Sequence, residues 1–153
     1  MQIDDTFNLS LRILIASICI LRIIICECFM IATYSNILQI IAALGLLNVW
    51  IFRFNKLTTY RGGSAKNLKE EFQEYGLPVW CCYFVGVLKV VSAILFIVGV
   101  WFNSVVLPAS ILVSYLMSIA VIMHLIIRDP LKKAMPAITL LLITSVIATL
   151  QMI

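Results

Sequence analysis

Four long apolar stretches restrict what this chain can fold into more than any other feature. They run approximately over residues 37–54, 79–100, 109–127 and 136–153. A helix that crosses a hydrocarbon core ~30 Å thick needs about 20 mainly apolar residues, at ~1.5 Å of rise each. All four stretches meet that standard. None shows the alternating pattern of ~10-residue strands that a membrane barrel requires. The expected fold is all-α: a transmembrane four-helix bundle, with a possible additional N-terminal transmembrane helix. The longest polar stretch, residues 55–78, is too short for a soluble domain.

Composition supports this reading by exclusion. The 153 residues are 63% hydrophobic and 12% charged, whereas a soluble domain is about 45–50% apolar and about 25% charged. A single soluble domain of this length could not cover its surface with so little charge. A disordered chain needs low hydrophobicity, which is absent here. No phosphate-binding glycine loop, Ser-His-Asp set or cluster of metal ligands occurs, so a soluble-type hydrolase or kinase is excluded on motifs.

Residues 9–31 are also apolar and long enough to span, but they carry Arg12, Arg22 and Glu27. Each such charge costs about 2.5–3.5 kcal/mol at a helix centre on insertion scales. Arg22 and Glu27 are five apart and do not align on one helical face. A signal peptide fits poorly, because the stretch is long and lacks a small-x-small cleavage site. An additional span, or an extension upstream of a core that starts at Met30, both stay open. The chain therefore divides into a hydrophobic N-terminal segment, residues 1–36, and a membrane domain, residues 37–153.

The basic residues predict an orientation. Of 11 Lys and Arg residues, Arg53, Lys56, Arg61, Lys66 and Lys69 lie at the first long connection, and Arg128, Lys132 and Lys133 lie in the last. The intervening connections, 31–36 and 101–108, have none. The positive-inside rule then places both basic loops in the cytoplasm and the C-terminus outside. Trp50, Trp80 and Trp101 fall near span ends, the pattern of an aromatic belt. Because the cations cluster beside the membrane, no nucleic-acid partner is expected and the lipid bilayer is the main surrounding.

Residues 64–76 read as a short amphipathic helix between spans. Asn67 is a good N-cap, and Glu70 three residues later suits a capping-box arrangement. Leu68, Phe72 and Tyr75 make one apolar stripe, Gly76 fits a left-handed C-cap, and Pro78 prevents continuation. Such a helix lies at the membrane surface or tucks under the bundle mouth, and it offers a docking surface for a membrane-protein partner.

Within the spans Lys89 stands out. It sits near the bilayer centre, where a lysine needs compensation. Its helical neighbours Val85, Gly86, Ser92 and Ala93 are mostly small, which points this face into the bundle. His124 shares a face with Ser110, Ser114, Met117 and Val121, one turn before Arg128. A single histidine cannot make a metal site. Cys26, Cys28, Cys81 and Cys82 read as small buried hydrophobes, and the two pairs lie too far apart to be bridged.

The residues also carry a resemblance. Phe54-Asn55-Lys56-Leu57-Thr58 closes the first main span, and Phe72, Gly76, Leu77 and Pro78 follow. Then come Gly86-Val87-Leu88-Lys89-Val90-Val91-Ser92-Ala93 and Gly99, Met123-His124, Arg128-Asp129-Pro130-Leu131-Lys132 and Pro136-Ala137. In order and spacing this resembles the DoxX-like family of small four-span membrane proteins over about residues 37–150. Asp129–Lys132 is also similar to the animal nicotinic acetylcholine receptor chaperone of the same superfamily. Arg53 departs from the family pattern, which usually has a small residue there. The resemblance implies a four-helix bundle, and relatives that include a subunit of a quinone-linked oxidoreductase and receptor assembly factors. The expected function is that of an accessory or small-ligand-binding membrane bundle with Lys56, Lys89, His124 and Arg128 as ligand contacts. A quinone-linked redox subunit and a membrane-protein assembly factor are the alternatives, and a quinone is the one cofactor implied.

Overall fold

The computed structural model describes residues 2–152, with side chains from Ser17 onward; Arg12 lies outside the described side chains. Before Gly45 the chain contains neither glycine nor proline, so nothing breaks a helix there. The first helix, α1, accordingly runs Gln2–Leu47 with no turn at residues 31–36. The apolar N-terminal segment therefore joins the first helix instead of forming one of its own. The chain resolves into two units, Met1–Tyr34 and Ser35–Ile153. In the first, Arg22 and Glu27 are exposed. The second is a helical bundle.

In the bundle, α1 gives way to a π turn over Asn48–Phe52. A short helix, α2, covers Leu68–Glu74. The helices α3, Val79–Val98, α4, Val106–Ile126, and α5, Leu131–Leu150, complete it. Among the described residues, four helices are long and apolar enough to cross a membrane, the first counted over Ser17–Phe52. The protein is a multi-pass membrane protein.

The helices are built inside out relative to soluble ones. On α3, Cys82, Gly86, Lys89, Ala93 and Phe96 are buried, while Trp80, Phe84, Val87, Val91 and Ile94 are exposed. Both sets follow the same 3–4 spacing on opposite faces. Small and polar groups turn inward and large apolar ones face the lipid, because lipid gives apolar side chains no reason to hide. The core joins Ala42, Ala43 and Leu46 of α1 to Ala93, Phe96, Val106, Val113 and Ile147. Ser114 donates a 2.8 Å hydrogen bond to Thr144, tying α4 to α5.

The caps follow from local sequence, with shifted boundaries. The Asn67 side chain accepts from the Glu70 N–H at 3.0 Å, and the Glu70 carboxylate accepts from the Lys66 N–H at 2.8 Å. This reciprocal cap starts α2 four residues later than the pattern suggested, with residues 64–67 outside the helix. Gly76 ends it at φ +73°, the left-handed conformation that glycine takes without a Cβ penalty. Pro130, not Pro136, precedes α5; Pro136 lies inside it and withholds one N–H from the helix. Pro108 is third in α4, where the N–H has no intrahelical partner anyway. Trp80 and Trp101 are exposed as a belt requires, but Trp50 is buried.

Candidate functional site: a cavity over Lys89 and the clasp at its mouth

The first helix ends in the π turn, marked by the 3.0 Å bond from the Arg53 N–H to the Asn48 carbonyl. Trp50 within it stands four residues after Leu46 and seven after Ala43, both buried, so the inward face of the helix carries it into the bundle. There it meets Phe72 of α2, edge to face at 6.3 Å between centroids. Gly86 of α3 makes the room: a Cβ at Gly86 would come 2.7 Å from the indole ring. The Lys89 ammonium, one turn further along α3, lies over the Trp50 ring at 5.1 Å. The negative face of the indole compensates part of its charge. Among the described residues no carboxylate comes within 4 Å of it.

Lys89 lines a cavity of about 600 Å³ inside the bundle, within the ~300–1,000 Å³ range of small-molecule sites. Leu46, Trp50, Val85, Leu116, Met117 and Leu140 give it apolar walls, and Arg61, Tyr75 and His124 lie toward the connecting loops. The polar groups near this mouth form one connected network.

Arg61 begins it. Its Nη2 donates to the carbonyls of Arg53 at 2.6 Å and Phe54 at 3.3 Å, groups freed where the first helix ends. Its Nη1 donates to Glu71 Oε2 at 3.0 Å. Glu71 Oε1 accepts from the Gly62 N–H at 2.8 Å and from the Tyr75 hydroxyl at 3.1 Å. Tyr75 packs edge to face on His124, with its oxygen 3.3 Å from Nε2. The ring's Nδ1–H donates to Asp129 Oδ2 at 2.8 Å, the tautomer that this carboxylate selects. Asp129 also accepts from the Gly63 N–H at 3.1 Å and pairs with Lys133 at 3.3 Å. Lys133 donates back to the Gly63 carbonyl at 2.6 Å.

Two glycines let these segments meet. A Cβ at Gly62 would overlap the Tyr75 hydroxyl. Gly63 adopts φ +55°, which side chains rarely take. The result is a clasp holding residues 61–75 to the connection between α4 and α5. Burial and the neighbouring Glu71 push the Tyr75 hydroxyl well above its ordinary value, so it stays protonated. Burial pushes the Asp129 carboxyl up, but the bonds from His124, Gly63 and Lys133 together outweigh it and hold it below the ordinary carboxylate range.

The structure brings two of the four expected contacts, Lys89 and His124, to this cavity. Lys56 and Arg128 are exposed and do not line it; Arg128 sits at φ +58° in the turn after α4. Of the two at the cavity, His124 has a carboxylate partner, Asp129. Arg61, Glu71, Tyr75, Asp129 and Lys133 were not anticipated as site residues. They sit in the polar stretches between the apolar runs, where charges ordinarily meet solvent. The one hint was Asp129-Pro130, a carboxylate two residues before the first residue of a helix. The apolar stripe of α2 is spent on the bundle, since Leu68 is buried and Phe72 packs against Trp50. The face of α2 left for a partner is the polar one.

The DoxX-like family model matches residues 37–146. No curated protein and no solved structure matches the chain.

Proposed function

The chain belongs to the DoxX-like family, and on that basis we propose that it is an accessory membrane bundle that binds a small amphiphile in the cavity over Lys89. One observation carries this reading: a buried ammonium faces an apolar cavity with an aromatic ring over it and, among the described residues, no carboxylate within ion-pair distance. Buried charge is costly, and polar or ionisable groups inside a membrane mark ligand or ion sites. A ligand with an electron-rich head and an apolar body matches both the ammonium and the walls.

The test uses protein purified in mild detergent, with mass spectrometry of its lipid extract and a thermal melt. A bound amphiphile is expected from the wild type, and Lys89→Ala and His124→Ala are expected to lose it. If neither variant changes the extract or the melting temperature, the site reading fails.

A quinone-linked redox role is the second reading. It is favoured by the Tyr75–His124–Asp129 chain beside the cavity, because a quinone takes up protons as it is reduced and such a chain can deliver them. Quinone in the wild-type extract, with melting raised by a quinone analogue, supports it. Repeated absence of both excludes it. The basic connections are read as cytoplasmic and the C-terminus as outside on the distribution of Lys and Arg.

A further inference from the structure

Charge accounting around the cavity narrows the ligand. Four basic residues line it: Arg53, Arg61, Lys89 and Lys133. Arg61 is paired with Glu71, and Lys133 with Asp129. Arg53 is exposed. Lys89 alone is buried with no acid within ion-pair distance among the described residues.

A neutral head group leaves the Lys89 charge uncompensated. A head group with several negative charges overshoots it. One negative charge balances it. The walls are apolar. From the unpaired ammonium and the apolar walls together, we propose that the cavity binds a long-chain carboxylate, its head on the Lys89 ammonium and its chain along the apolar wall. No bond forms or breaks in this binding. The inference deepens the amphiphile reading above and rests on it.

The experiment measures thermal stabilisation of the full chain in detergent by palmitate, methyl palmitate and decylubiquinone. These probes have acidic, neutral single-chain and neutral quinone heads. Palmitate is expected to stabilise the wild type at concentrations at least tenfold below those needed for the methyl ester. Lys89→Gln should bring palmitate to the level of the ester, and Lys89→Arg should retain the preference for the acid. Equal action of acid and ester overturns the carboxylate inference, as does a Lys89→Gln variant that answers palmitate like the wild type. If decylubiquinone stabilises and palmitate does not, the carboxylate inference falls while the amphiphile reading stands. If none of the three acts and the lipid extract is empty, both fall. Should Lys89→Gln not fold, the acid–ester comparison on the wild type decides by itself.

Discussion

Gly86 shows how much rests on one missing methyl group. Without its hydrogen side chain Trp50 could not lie against α3, because a Cβ there would press 2.7 Å from the ring. Trp50 in turn lies against the Lys89 ammonium. Gly86→Ala raises helix propensity but overpacks this contact, and overpacking costs ~1–3 kcal/mol. We expect the melting temperature to fall, together with weaker retention of the co-purified amphiphile. A variant as stable as the wild type and equally loaded shows that Trp50 is not held there. Lys89 and Gly86 were legible in the sequence because a charge and small residues recur on one helical face. Trp50 was missed. It read as a belt residue from its place near a span end, although its spacing from Ala43 and Leu46 puts it on the buried face of α1.

At the scale of elements, the decisive feature is the clasp between residues 61–75 and the start of α5. The helix cap on Asn67 and the glycine stop at Gly76 were readable, since capping chemistry is local. The bonds that make the clasp join residues up to 70 positions apart, such as Lys133 to Gly63. No local pattern announces them, and the loop charges looked like solvated ones until folding buried them. The clasp has a pH dependence with a definite sign. The Asp129 carboxyl faces His124, Lys133 and the Gly63 N–H, with Tyr75 and Glu71 beyond the ring. Held below its ordinary value in the folded state, it binds a proton less tightly there than in the unfolded chain. Its contribution is therefore complete above about pH 4, the ordinary Asp value, and is lost as pH falls through the lower folded value. Melts between pH 6 and pH 3, taken as approximate limits around that value, should show this acid loss in the wild type and a smaller one in Asp129→Asn. Identical slopes in the two proteins contradict it. Glu71→Ala should be more damaging at neutral pH, because it strands the buried Arg61; breaking one side of a buried pair costs ~3–5 kcal/mol.

For the whole molecule, the apolar runs made the membrane bundle evident, since length and hydropathy suffice to count spans. They misled at residues 31–36, where a connection was expected and a helix without glycine or proline continues, and at the start of α5, which begins at Leu131 and not near residue 136. The orientation is tested by single cysteines at the exposed positions Ser64 and Asn103, placed in a background without the five native cysteines. A membrane-impermeant thiol reagent should label them from opposite sides, with Ser64 cytoplasmic. Labelling from the same side contradicts the bundle topology.

The most direct measurement is an experimental density map of the protein extracted with its native lipids. We predict elongated non-protein density that begins at the Lys89 ammonium and follows the apolar wall past Leu116, Met117 and Leu140. A cavity that is closed by its own side chains, or holds density with no contact to Lys89, contradicts the proposal.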